Sequence, residues 1–122
     1  MSTNDKLARK RRSERKGRRA ELLAALALML KGYRIVSMRY RTPVGEIDIV
    51  ARKRDLVAFV EVKARRDLAA GVDAVSFSAQ RRIAAAAELF ISRQKDGPGL
   101  SWRHDVIVVS PWTWPKHLED AF

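Results

Sequence analysis

Apolar and polar positions follow two patterns along this chain, one of period two and one with helical spacing. Gly45-Glu46-Ile47-Asp48-Ile49-Val50 and Phe59-Val60-Glu61-Val62-Lys63 alternate charged with apolar residues, as strands with one polar face do. The stretch between them, Arg52-Lys53-Arg54-Asp55, is fully charged and reads as an exposed hairpin turn. A turn centred between Lys53 and Arg54 pairs Glu46 with Glu61 and Asp48 with Phe59. Directly opposed residues share a face of an antiparallel pair. Glu46, Asp48, Glu61 and Lys63 then project from one side, with Ile47, Ile49, Val60 and Val62 on the other. A slip of one residue would separate the acids.

Upstream, the run Leu22 to Leu30 predicts a buried helix from about Arg18 to Lys31, closed by Gly32 as a left-handed cap. Tyr33 to Arg41 alternates well enough for a first strand, and Thr42-Pro43-Val44-Gly45 supplies the turn that follows. Ala64 to Gly71 reads as a loop carrying Arg65 and Arg66. Ser78 suits the N-cap of a second helix over residues 79–95, whose Ile83, Ala86, Ala87, Phe90 and Ile91 fall on one core face. Asp96-Gly97-Pro98-Gly99 ends that helix. Trp102 to Val109 closes with an apolar run suited to a strand buried on both faces, where Asp105 reads as structural. Trp112 and Trp114 suit either base stacking or the commoner task of capping the core. The order helix, strand, hairpin, helix, strand gives an α/β sandwich with a mixed sheet.

Composition narrows the partners. At 122 residues, 47% hydrophobic and 32% charged, there is room for one domain, placed here at residues 17–122. Net charge is +11, which points to a polyanion, nucleic acid first and an acidic membrane surface second. Residues 1–16 are dense in lysine and arginine and read as a disordered basic arm that could also bind phosphate non-specifically. The apolar run behind it lacks a cleavage pattern and is too short to cross a bilayer. Cysteine is absent, which excludes thiolate chemistry and fits a reducing cytoplasm. His104 and His117 have no partner at metal-ligand spacing.

Three carboxylates on one face repel one another more than a single lysine offsets, and a divalent cation is the simplest remedy. Mg2+ takes one or two carboxylates together with water and phosphate. Asp48 and Glu61 as ligands, with Lys63 as the cation beside the reacting phosphate, supply the parts of a phosphodiester hydrolase. Glu21, in the first turn of the first helix, either favours the helix dipole or faces the acids. Arg39, Arg41, Arg65 and Arg66 surround the cluster as candidate phosphate contacts.

GEID, a gap of about a dozen residues, and then FVEVKAR resemble the PD-(D/E)xK nuclease superfamily. Within it the resemblance is to the small bacterial UPF0102 (YraN-like) proteins, related to archaeal Holliday junction resolvases and restriction endonucleases. It extends over residues 17–110 through Gly17, Glu21, Gly32-Tyr33, Arg103 and Asp105. The resemblance implies a restriction-endonuclease-like three-layer α/β/α sandwich and a nuclease acting on DNA, with branched, repair or recombination intermediates as candidate substrates. It implies Asp48 and Glu61 as ligands of Mg2+ or Mn2+, the Val62 carbonyl as a further ligand, and Lys63 as the catalytic lysine. Glu21 is implied as an accessory acid and Glu46 as a neighbour of the metal. A resolvase would need two sites and hence a homodimer, and bacterial DNA places the expected action in the cytoplasm, near the nucleoid, with no membrane partner. Two positions depart from the family pattern. Arg39 stands where asparagine is usual, and Ala79 where a lysine is usual, leaving Gln80 or Arg81 to replace that cation. The alternative is a nucleic-acid-binding protein that keeps the fold without the catalysis.

Overall fold

A computed structural model describes residues 2–122. In chain order the elements are α1 (Thr3–Leu30), β1 (Arg34–Thr42), β2 (Gly45–Lys53), β3 (Leu56–Ala64), α2 (Leu68–Asp73), α3 (Phe77–Ser92), β4 (Ser101–Val109) and β5 (Lys116–Leu118). The five strands form one sheet in the order β1-β2-β3-β4-β5. Only β3 and β4 run parallel, because α2 and α3 form the crossover between them. The chain is therefore a mixed-sheet α/β sandwich. The α1 layer packs on one face through Ala24, Ala25 and Leu28 against Ile49, Ala58, Val60 and Ile107. The α3 layer packs on the other through Ile83, Ala86, Ala87 and Phe90 against Val50, Phe59 and Val108.

The first helix departs from expectation at both ends of its logic. It starts at Thr3 rather than near Arg18, with the Ser2 side chain accepting from the Asp5 N–H at 3.2 Å. A serine cap followed by an acid in the first turn favours a helix start, and lysine, arginine and alanine propagate it. Every side chain from Ser2 to Lys16 is exposed, so this basic segment is a solvated helix where a disordered arm was expected. Further on, the alanines and Leu28, rather than the other leucines, meet the sheet. Ala20, Ala24, Ala27 and Leu28 are buried, while Leu22 and Leu30 are 65% and 70% exposed. Positions 20, 24, 27 and 28 form one helical stripe, and small side chains let α1 lie close to the sheet. Gly32 ends the helix at φ +94°, as its position predicts.

The hairpin turns at Arg54-Asp55, with Lys53 opposite Leu56 and Arg54 at φ +56°. Its register, running to Ile49 opposite Val60, is two residues away from the expected one. An even shift preserves the face of each side chain, and continuing it sets Asp48 beside Glu61. The expected strict alternation nevertheless fails near Asp48. Ile47 belongs to the α3-side core with Val50, but Ile49, two residues on, belongs to the α1-side core with Val60. The strand thus changes face at Asp48. Continuing the β1–β2 register of Met38 opposite Ile49 and Tyr40 opposite Ile47 sets Arg39 opposite Asp48, and Arg39 has φ +55°. A backbone turned into the left-handed region breaks the pleat there.

The remaining elements differ in detail. Ser76, not Ser78, caps α3 and accepts from the Ala79 N–H at 3.1 Å. The short strand β5, unforeseen in the sequence, pairs antiparallel with β4. It is anchored on Asp105, fully buried at 0% exposure, which accepts from Arg103 Nε and Nη2 at 2.7 Å each and from the Asp120 N–H at 3.0 Å. His117 Nε2 lies 2.7 Å from the same carboxylate. The structural reading of Asp105 fits this network. Trp112 and Trp114, by contrast, do not cap the core, being 103% and 55% exposed. No helix among the described residues is long and apolar enough to cross a membrane.

Candidate active site

The β2–β3 ladder stops at the pair Ile49 and Val60, and beyond it the strands part. Into this opening Asp48 turns its carboxylate, whose Oδ2 accepts from the Val62 N–H at 2.8 Å. A side chain thus takes the role that a strand carbonyl would otherwise have. Glu61 stands against Asp48, and burial together with the Glu61 charge pushes the Asp48 carboxyl up to about 7. Two carboxylates sharing a partly desolvated site cannot both ionise freely. Lys63 Nζ lies 3.2 Å from Glu61 Oε1, with the two side chains only 21% and 15% exposed. Residues 61 and 63 share a face of β3 by strand period. Asp48, Glu61 and Lys63 therefore come together as their spacing predicts.

Glu21 reaches the cluster from α1 but is already engaged. Arg39 Nε donates to its Oε2 at 2.9 Å. The bond and the charge of Glu21 both raise the Arg39 pKa, with smaller contributions from Glu46 and Asp48. Arg39 is thus a counter-ion inside the acidic cluster rather than a free phosphate contact. Glu46 pairs with Arg41 at 3.4 Å on the exposed side. Among the described residues no group of three or more acidic or histidine side chains is gathered closely enough to hold a metal ion. Two carboxylates suffice for Mg2+ when water and phosphate complete the shell. Burial and the Glu61 charge both disfavour the Asp48 carboxylate, and such an ion would relieve both, so the donor set fits.

A cavity of about 310 Å³ opens over Glu61 and Lys63, walled by Glu46, Ala79, Arg82 and Ile83. Its geometry depends on Gly45, where a Cβ would lie 2.2 Å from the Arg82 carbonyl oxygen. Neither proposed substitute for the family lysine lines this cavity. Gln80 Nε2 donates to the Val75 carbonyl at 3.2 Å, and the Arg81 guanidinium lies over the Phe77 ring at 5.3 Å. Arg82 lines it instead, with its Nη1 donating to Ser78 Oγ at 2.9 Å. It sits three positions after Ala79, one helical turn along the same face, and that spacing could have found it. Arg65 and Arg66 are exposed beyond the end of β3 and line a separate cleft.

The profile of a family described as "Uncharacterised protein family UPF0102" matches residues 20–109, which contain all of these acids. The chain belongs to this family. It is 60% identical over 114 residues to a UPF0102 protein of Rhizobium meliloti (strain 1021), covering 93% of each chain. To a UPF0102 protein of Rhizobium etli (strain CIAT 652) it is 55% identical over 122 residues, the full length of both. A UPF0102 protein of Chelativorans sp. (strain BNC1) is also 55% identical over 122 residues, all of this chain and 98% of the relative. The UPF0102 match thus spans β1 to β4, α3 and the part of α1 that carries Glu21.

Proposed function

We propose that this UPF0102 protein is a metal-dependent nuclease of the PD-(D/E)xK kind, hydrolysing phosphodiester bonds of DNA in the cytoplasm. The observation that carries the reading is the convergence of Asp48, Glu61 and Lys63 where the β2–β3 ladder opens. Asp48 and Glu61, with the Val62 carbonyl, would hold Mg2+ or Mn2+, which when bound supplies Lewis acidity and an acidified water. The chain's own groups do the rest. The Val62 N–H fixes the Asp48 carboxylate, and Glu61 holds the Lys63 ammonium beside the cavity. From there Lys63 can stabilise charge growing on the phosphoryl oxygens. Arg82 lines the same opening and Arg41 pairs with Glu46 of its wall, so both suit the neighbouring phosphates, and the net charge of +11 draws a polyanion toward them. The two-site demand of junction cleavage supports a homodimer, and the exposed stripe of Leu22, Leu26 and Leu30 on α1 is apolar surface suited to one.

A second reading, a binder without catalysis, is favoured by the ion pair that engages Glu21 and by Ala79 at the cavity wall. One experiment separates the two. Linear, single-stranded and four-way-junction DNA are incubated with the protein in Mg2+, Mn2+ or EDTA. Metal-dependent cutting that vanishes in Asp48→Asn and Lys63→Ala supports the nuclease. Retained binding with no substrate ever cut assigns the chain to the second reading.

A further inference from the structure

Beside the acidic site, at the ends of β3 and β4, lies an open cleft of about 390 Å³. Lys16 and Arg19 border it from α1, Arg65 and Arg66 from the segment after β3, and Trp112 from the turn after β4. No carboxylate lines it. Among the described residues Lys16, Arg19 and Arg65 form no ion pair with an acid, and Arg66 meets only Asp67 at 3.9 Å.

Trp112 is the unexplained part of this cleft. Its side chain is 103% exposed, so a large apolar ring stays in water with no packing in return. Its backbone stands at φ +64°, a conformation that bulky residues adopt rarely and at a cost. Pro111 leads the turn, and Trp112 occupies the left-handed place that such turns usually give to glycine. Local folding therefore does not account for tryptophan here. The indole face and the surrounding cations together match an unpaired nucleotide, which has a free π-face and a phosphate on either side. A duplex would offer the cations its phosphates but leave the indole without a base to stack on.

We propose that this cleft binds single-stranded nucleic acid, with one base stacked on Trp112 and the flanking phosphates on Arg65, Arg66, Lys16 and Arg19. Because only Ala64 separates Lys63 from Arg65 and Arg66, a strand held there leads toward the acidic site. The inference rests on the reading that the polyanionic partner is nucleic acid, but it does not require cleavage.

The test is binding in EDTA, where the proposed chemistry is silent. Fluorescence anisotropy of a labelled oligothymidylate and of a duplex of equal length is measured with wild type, Trp112→Ala, Trp112→Phe and Arg65→Ala/Arg66→Ala. Losing one stacked base should weaken single-strand binding about tenfold or more in Trp112→Ala. Duplex affinity should stay within about twofold, and Trp112→Phe should recover most of the loss, since stacking needs only an aromatic face. The double arginine variant should weaken both ligands and flatten the salt dependence by roughly 1.4 in slope for the single strand. Unchanged single-strand affinity in Trp112→Ala overturns the proposal, as does an equal loss for duplex. So does a Trp112-dependent affinity for phosphatidylserine vesicles in the absence of one for the oligonucleotide, which would assign the cleft to a membrane surface. Metal-dependent cutting that persists while the Trp112 effect is absent sinks this inference alone. Failure of wild type to bind any DNA removes the nuclease reading as well.

Discussion

Asp48 and Asp105 flank the same central strand, β3, and meet opposite fates. Asp105 is fully buried, and desolvation alone would push its carboxyl up. Donors from Arg103, His117 and the Asp120 N–H outweigh that and hold it down at about 2. Asp48 receives a single N–H, from Val62, and faces a second carboxylate, so burial and the Glu61 charge push it up to about 7. One residue type on one sheet thus marks two kinds of place. Where the fold supplies enough donors, the carboxylate is a pin that holds β5 and the C-terminal segment to β4. Where it supplies too few, the carboxyl is left short of positive charge and its pKa rises. Perturbed acids of the second kind gather at functional sites, and the contrast between the two aspartates makes that inference specific to Asp48.

The sharpest way to break the contrast is to neutralise each acid in turn. Asp105→Ala should cost about 3–5 kcal/mol, because it strands the Arg103 guanidinium and His117 without their partner. Urea denaturation measures it, and a loss below about 1 kcal/mol would end the claim that Asp105 is a pin. Asp48→Asn should show the reverse profile. It should lower metal-dependent cleavage by more than about 100-fold, since even groups that only support metal ligands are worth 10- to 100-fold. Its folded state should be at least as stable as wild type in EDTA at pH 8.

The pH dependence separates the same two residues. The folded Asp48 carboxyl titrates near 7, well above the ordinary carboxylate value of 3.8. Between these values the native state holds a proton that the unfolded chain has released, so the Asp48 contribution to stability falls as pH rises from about 4 to about 7. Asp105 behaves oppositely. Its stabilisation is complete above 3.8 and is lost as pH falls toward 2. In EDTA the stability advantage of Asp48→Asn over wild type should therefore grow between pH 4.5 and pH 8. An advantage that is flat across that range would mean Asp48 is not strained by its neighbours. Adding Mg2+ at about ten times its dissociation constant at pH 8 should stabilise wild type by ~1.4 kcal/mol and leave Asp48→Asn unmoved. Thermal melts with and without the ion decide it.

How much of this was legible in the sequence follows from what each signal encodes. Period-two alternation announced the hairpin and brought Asp48, Glu61 and Lys63 together, because strand geometry fixes which side chains share a face. The register came out two residues away, since a turn of four charged residues carries no glycine or proline to mark its centre. The change of face at Asp48 could not be read at all. It accompanies the left-handed backbone of Arg39, and nothing in an arginine announces that conformation. The long α1 was missed because lysine and arginine suit a solvated helix as well as a solvated tail. The Asp105 pin draws His117 and the Asp120 N–H from β5 and the segment beyond, and no periodicity links those positions to Arg103 and Asp105 on β4.

The smallest expected effect concerns Arg39, which stands between the two regimes. It gives Asp48 and its neighbours some of the positive charge that Arg103 gives Asp105, but through Glu21 and from a surface position with 37% of the side chain exposed. A metal ion entering the cluster competes with this guanidinium for the same acids. Asparagine tolerates the left-handed region far better than arginine, so Arg39→Asn should keep the backbone of β1 while releasing Glu21. Removing one nearby positive charge should tighten Mn2+ binding about fivefold, read by calorimetric titration at pH 7.5, with the thermal midpoint in EDTA little changed. Weaker Mn2+ binding in this variant would mean that Arg39 holds Glu21 in position for the ion. The ion pair would then belong to the site as a positioning contact, and Glu21 would join Asp48 and Glu61 as a ligand oriented in advance.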